Sequence, residues 1–323
     1  MTRRSGLGIV DVAILETLDH IGANANRPFM KSARAVAHLD EEYGVGWDTG
    51  YEALMDMARP WRMPLHCVSF HGNYGSPDYP GSAPQYTEAR LSAVGELALA
   101  AERGETGAVP IGLINGNTYS GGVRPPYQPA GMIDALTRVL SEPTAGRAKD
   151  AELVRLVGPP SFPGGCDVRG YLKVLAAGRR VKLQCSAVLT PAEELDRRGR
   201  PGWVVSRLPP GPGGRAVVEG VANRVNRRPW ANELPELDRR TRIPVAAIDD
   251  LSAGETTRLV FILAPGGDLE DLRKKLLATY GVGVRVDVQL PAPLPEYLRG
   301  WVASHDEDDL ASSLAQLREA LHP

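Results

Sequence analysis

The chain has 323 residues, 43% hydrophobic and 24% charged, which is apolar enough for a packed core and excludes a disordered chain. Its formal net charge of −2 offers no global basic field of the kind that attracts nucleic acid, and no apolar run approaches the roughly 18 residues of a membrane helix. Cys67, Cys166 and Cys185 stand far apart without CxxC spacing, which argues against a zinc knuckle or a disulfide framework, and with no apolar leader at MTRRSGLGIVDV a cytoplasmic location is expected.

Ile14, Leu18 and Ile21 have helical spacing, with Gly22 as the stop. A second helix is predicted over Lys31 to Glu42, then a tight turn at Tyr43-Gly44-Val45-Gly46-Trp47. Thr49 and Glu52 have capping-box spacing, and Tyr51, Leu54, Met55 and Ala58 fall on one helical face. Two helices about a glycine turn fit a helix-turn-helix, although most such pairs are simply packed helices. Leu65 to Phe70 reads as a strand entering the Gly/Pro-rich loop His71 to Gly81. A helix follows from about Gln85 to Arg103, placing Tyr86 at its foot, and Val109 to Ile114 reads as a buried strand.

Pro125-Pro126 marks a boundary. Beyond it, Met132 to Leu140 and Arg169 to Gly178 read as helices. Val181 to Leu189, Trp203 to Leu208 and Leu259 to Leu263 read as strands. Leu269 to Tyr280 is an amphipathic helix, and Val282 to Leu290 alternates as a strand does. From Leu294 the chain is helical and acidic, and Asp306-Glu307-Asp308-Asp309 reads as a solvated helix end. The sum is an α+β protein.

Taken alone, Tyr86 is most simply a packing tyrosine. Its surroundings carry a resemblance. Asn26-Arg27-Pro28-Phe29-Met30-Lys31-Ser32-Ala33-Arg34, Gly72-Asn73-Tyr74-Gly75-Ser76 with Tyr86-Thr87-Glu88-Ala89-Arg90, Gly158 to Gly165, and Val221 to Arg227 occur in this order. Together they resemble the breakage-rejoining (A-type) polypeptide of the bacterial type IIA topoisomerases, DNA gyrase and topoisomerase IV. The likeness runs from about Ile9 to Leu290. It implies a winged-helix (CAP-like) DNA-gate domain over 1–125 and an α/β tower domain over 126–293. An acidic helical tail over 294–323 would follow, with neither the coiled-coil gate nor the C-terminal β-domain.

By resemblance, Tyr86 is the catalytic nucleophile, which attacks a DNA phosphorus and leaves a 5′-phosphotyrosyl link that can be resealed without an energy source. Lys31, Arg34, Asn73, Gly75, Gln85, Arg90, Arg224 and Arg227 are the implied DNA-binding residues. The implied partners are double-stranded DNA, a TOPRIM/ATPase B-type subunit that supplies Mg²⁺, and a second copy of the chain through the gate domain. No cofactor or metal is expected on this chain, and no GxxxxGK[ST] motif is present.

The sequence departs from the family at several points. Gln85 replaces the arginine before the tyrosine. The region Asp11-Val12-Ala13 lacks a second arginine. Tyr43-Gly44-Val45-Gly46 has neither histidine of the family's turn. The loop Asn117 to Arg124 is shorter than the one that carries the family's intercalating isoleucine. Losing one preorganised donor typically costs about 10²–10³ in rate. The stretch His38 to Asp56 carries Asp40, Glu41, Glu42, Asp48, Glu52 and Asp56 without any Lys or Arg, a face that repels phosphate. Two readings therefore stand. The chain is a breakage-rejoining subunit, or it is a catalytically degenerate paralogue that binds DNA or gyrase as a regulatory or protective protein. Arg224, Arg227 and Arg228 with Trp230 form a basic cluster that either touches flanking duplex or is plain exposed surface.

Overall fold

The computed structural model describes residues 4–119, 122–162, 164–178, 180–192, 199–211, 213–225, 242–254, 256–279 and 282–321. The amino-terminal part is built from helices laid over a small sheet. Ile14, Leu15 and Leu18 recur at helical spacing and form the buried stripe of α1 (Ile9–His20). The short strand β1 (Met30–Lys31) leads into α2 (Ser32–Tyr43), and a turn through Gly44 leads on to α3 (Trp47–Asp56). Ala35, Val36 and Leu39 of α2 face Tyr51, Leu54 and Met55 of α3, and all are buried.

Strands β2 (Val68–His71) and β3 (Glu88–Leu91) flank the Gly/Pro-rich loop. They join β1 in an antiparallel sheet of order β1-β3-β2. Its register pairs Lys31 and His71 with Glu88 on either side. Thr87, Ala89 and Leu91 are buried, so Glu88 and Arg90 belong to the opposite, open face. Helix α4 (Ala93–Arg103) starts where Ser92 Oγ accepts from the Gly95 amide at 3.0 Å, and it stops at Gly104.

Next come α5 (Ile111–Asn115), β4 (Asn117–Tyr119), β5 (Gly122–Arg124), α6 (Pro129–Leu140), α7 (Glu142–Ala145), α8 (Asp150–Val157), β6 (Asp167–Arg169), α9 (Tyr171–Ala177) and β7 (Arg180–Ser186). After these follow β8 (Val188–Ala192), β9 (Gly202–Arg207), α10 (Gly214–Ala222), β10 (Val245–Asp250), β11 (Leu259–Leu263), α11 (Leu269–Leu277), β12 (Gly283–Gln289), α12 (Leu294–Ala303) and α13 (Glu307–Ala320). One sheet has the order β4-β5-β12-β7-β6 and a second the order β10-β11-β9-β8. One core runs from Leu7 to Leu317 and unites the amino-terminal helices with the five-stranded sheet, α12 and α13. A separate core beneath the four-stranded sheet gathers Val205, Val217, Phe261 and Leu272, all fully buried. Burying a side chain such as Phe261 contributes about 1.5–3 kcal/mol.

Several sequence expectations are corrected. Tyr86 is not on a helix: it ends a single 3₁₀ turn (Pro84–Tyr86) and precedes β3. The alternation from Thr87 to Leu91 has period two, and the helix begins only after the cap at Ser92. Val109 to Ile114 is not a strand. Its carboxy-terminal half is the start of α5, a short buried helix whose apolar run carries no periodicity to distinguish the two. Arg169 closes strand β6 before α9 starts at Tyr171. Val181 to Leu189 is split, because β7 belongs to the five-stranded sheet and β8 to the four-stranded one. Thr49 lies inside α3, whose N-cap is Gly46, so Thr49 and Glu52 form no capping box. The acidic run is a helix end, with Asp306 capping α13 through bonds from the Asp308 and Asp309 amides.

Candidate functional site

Tyr86 is 73% exposed. The turn that carries it is nonetheless tightly held from below. Tyr51 of α3 donates to the Ser82 carbonyl at 2.5 Å and pairs with Thr87 Oγ1 at 2.9 Å. Thr87 Oγ1 in turn pairs with Ser32 Oγ at 3.0 Å. Burial pushes the Tyr51 phenol above its ordinary pKa, with Thr87 opposing, so it stays protonated as a donor at neutral pH. The Tyr86 amide bonds to the Ala83 carbonyl at 2.9 Å and closes the turn. A buried hydroxyl network thus presents an open phenol.

The loop before the turn is equally constrained. Asn73 accepts from the Gly75 amide through Oδ1 at 2.8 Å, and its carbonyl accepts from the Ser82 amide at 2.8 Å. Gly75 has φ +90°, and a Cβ there would lie 2.5 Å from the Tyr79 carbonyl oxygen, so the loop admits only glycine at this point. Arg59, 5% exposed, anchors the loop's other strand. It donates to the Tyr74 carbonyl at 2.9 Å and to Asp56 at 2.8 Å, and it also pairs with Glu52. The loop tip reaches the second sheet system. The Asp78 carboxylate faces the start of α10, where the Arg215 amide approaches it at 3.5 Å and Gly213 leaves no room for a side chain. A negative group at a helix amino end is favourable.

Alternation along β3 puts Glu88 and Arg90 on the open face of the sheet, and Tyr86 stands exposed in the turn just before it. Lys31 forms an ion pair with Glu88 at 2.9 Å, and this hydrogen bond holds the Glu88 carboxyl below its ordinary pKa. Arg90 donates to the Arg27 carbonyl at 2.8 Å, and its guanidinium lies 4.3 Å from the centre of the Phe29 ring. The Phe29 ring also stacks with His71, centroids 3.6 Å apart. His71, opposite Glu88 in the ladder, was missed in the sequence. The signal available was its position in β2, read against the alternation that follows Tyr86.

The structure therefore brings Tyr86, Gln85, Lys31, Asn73, Gly75 and Arg90 into one neighbourhood. Arg34 stands exposed in α2, which packs against the tyrosine turn, and makes no ion pair among the described residues. Arg224 is elsewhere, in the turn after α10 beside the second core. Arg227, with Arg228 and Trp230, lies outside the described residues. Among the described residues no three His, Cys, Asp or Glu side chains converge as a metal site, and no helix is long and apolar enough to cross a membrane.

An open tyrosine in a 3₁₀ turn just before β3 lies over two helices joined by a glycine turn. Residues 6–106 match the family model of the DNA gyrase/topoisomerase IV A-type polypeptide. The chain is 29% identical to DNA gyrase A of Synechocystis over 252 residues, covering 69% of this chain and 29% of that protein. It is 26% identical to the chloroplastic/mitochondrial DNA gyrase A of Nicotiana benthamiana over 287 residues, 80% of this chain and 30% of that protein. With DNA gyrase A of Streptococcus pyogenes the identity is 29% over 284 residues, 80% of this chain and 32% of that protein. The chain is thus similar to gyrase A polypeptides over most of its length, at low identity. It spans under a third of the length of these curated relatives.

Proposed function

We propose that this chain is a DNA-breaking and rejoining module of the type IIA class, with Tyr86 as nucleophile. In this reading residues 1–125 act as a winged-helix DNA gate, with the 72–82 loop as its wing, and residues 126–293 as the tower. The observation that carries the reading is the exposed Tyr86 phenol, in a turn that leads into the sheet bearing Lys31, Arg90 and His71 and is fixed from below by Tyr51, Thr87 and Ser32. The phenolic oxygen attacks phosphorus, a phosphotyrosyl bond forms, the DNA 3′-oxygen leaves, and the reverse step reseals the strand. A phenol with pKa about 10 needs a proton acceptor, and the imidazole of His71 is the side chain proposed for that task. Arg34 and Arg90 neutralise the phosphate, aided by Lys31 once DNA displaces Glu88, and Asn73 and Gly75 keep the loop clear of the strand. Mg²⁺ comes from a TOPRIM/ATPase B-type partner, and a second copy of the chain completes the gate.

Supercoiled DNA, Mg²⁺ and a TOPRIM/ATPase B-type subunit, quenched with denaturant, test the proposal. Covalent DNA–protein adducts are expected with the native chain and none with Tyr86→Phe. Absence of adducts from both proteins overturns it. The second reading, a degenerate paralogue that binds gyrase or DNA, is favoured by one observation. Lys31 is engaged by Glu88, and the helix-turn-helix carries an acidic surface with exposed Tyr43 and Trp47. That reading expects partner binding through this surface without cleavage.

A further inference from the structure

Two of the three cysteines meet where the two large sheets join. Cys185 is fully buried in β7, with Val168 of β6 opposite it in the ladder. Cys166 is two residues before Val168, so it lies on the same face and diagonal to Cys185. In a regular ladder diagonal neighbours stand about 7–8 Å apart at Cα, slightly beyond the usual reach of a disulfide. Cys166 sits just outside the strand, however, in the turn made by Gly164 and Gly165, and there it leans in until the two thiols are hydrogen-bonded.

The two thiols have different surroundings. Cys166 is half-buried and lines an open cavity of about 410 Å³, together with Arg169, Ser186, Arg207 and Arg273. Arg169 pairs with Asp167 and Arg273 with Glu270, whereas Arg207 has no ion pair among the described residues. The hydrogen bond from Cys185 holds the Cys166 thiol below its ordinary pKa against burial and Asp167, and the same contact pushes Cys185 up. One sulfur is therefore reachable from the cavity, and the other lies fully buried behind it. Cys67 is fully buried, and burial pushes its thiol up to about 12.

We propose that Cys166 and Cys185 are a peroxide-responsive thiol pair that closes to a disulfide in the folded protein. The Cys166 thiolate attacks a hydroperoxide oxygen, the O–O bond breaks, and water or an alcohol leaves after taking a proton. Cys166 is then a sulfenic acid. The Cys185 sulfur attacks the Cys166 sulfur, the S–S bond forms, the S–O bond breaks, and the hydroxyl leaves as water with the Cys185 proton. Two thiols lose two electrons in total, and the peroxide gains them. The crosslink fixes the 164–166 turn to β7. The Gly164 backbone already lies against the Leu208 carbonyl, and Leu208, Pro209 and Pro210 line the cleft of about 1080 Å³ that faces the 76–80 part of the tyrosine loop. Oxidation therefore stiffens the wall opposite Tyr86's loop.

The reduced full-length chain, treated under native conditions with stoichiometric hydrogen peroxide and then alkylated in denaturant, tests the proposal. The expected result is an intact mass lower by two hydrogens before alkylation, one alkylatable thiol remaining out of three, and a peptide linking Cys166 to Cys185. In Cys185→Ala, Cys166 instead gains one oxygen and is trapped by dimedone. In Cys166→Ser, both remaining thiols stay alkylatable. A native chain that oxidises without this crosslink, or that crosslinks through Cys67, overturns the proposal, and that outcome on the native chain stands whether or not either variant folds.

Discussion

Tyr51→Phe removes a single oxygen from beneath the tyrosine turn. That oxygen holds the Ser82 carbonyl at 2.5 Å and Thr87 Oγ1 at 2.9 Å, and Tyr51 is otherwise buried against α2. Phenylalanine keeps the packing, strands the Ser82 carbonyl and leaves Thr87 Oγ1 with Ser32 as its remaining hydroxyl partner. Each unsatisfied buried group costs about 1–3 kcal/mol, but Ser82 is only half-buried and regains water on opening, so a net cost of about 2 kcal/mol follows. The cost falls on the turn and not on the whole core, because the affected bonds belong to residues 82–87. Amide exchange at Ser82 and Tyr86 should therefore accelerate about 30-fold, at about 1.4 kcal/mol per decade, while buried amides in β11 keep their rates. Hydrogen exchange resolved by NMR or mass spectrometry reads this directly. Acceleration of less than about threefold at both amides would refute the idea that the hydroxyl network holds the turn.

Gly75→Ala is expected to distort the loop, since φ +90° and the Tyr79 oxygen both oppose a Cβ, at a cost of about 1–3 kcal/mol seen as early proteolysis between Asn73 and Gly81. Arg59→Ala releases the Tyr74 carbonyl, Glu52 and Asp56 together, and should lower stability in urea by about 2 kcal/mol, with Arg59→Lys recovering only part of it. The Asp19 carboxyl is held below its ordinary pKa because bonds from Arg103 and Asn24 outweigh burial. Its contribution is present above the unfolded value and lost as pH falls through the folded one. The stability advantage of the native chain over Asp19→Asn should therefore be constant near neutrality and fade below about pH 4.

Much of the scaffold was legible in the residues. The α2–α3 pair was readable because Gly44 and Gly46 interrupt two amphipathic stripes, and because Tyr51, Leu54, Met55 and Ala58 fall on one face. Tyr86 itself was legible only through the order of its neighbouring motifs. Its placement in a turn just before a strand was hidden because Gln85 to Arg103 is rich in helix formers, and helical propensity outweighed five residues of alternation. The tertiary pairing of Glu88 with both Lys31 and His71 decided otherwise. His71 was invisible for the same reason, since its place opposite Glu88 exists only once β2 and β3 are in register. Helix α10 was passed over because its amino end is a run of glycine and proline, which reads as loop. The crossing at Ala187 leaves no mark in an unbroken apolar stretch.

Asp78 makes the tyrosine loop a lever as well as a perch. Its carboxylate rests on the tip of α10, a helix rooted in a core that shares none of its buried residues with the core below Tyr86. Any rocking of one block against the other must either drag the Tyr86 turn along or let go of that tip. Under the proposed function, a duplex long enough to touch both blocks would be sensed by a single acidic finger.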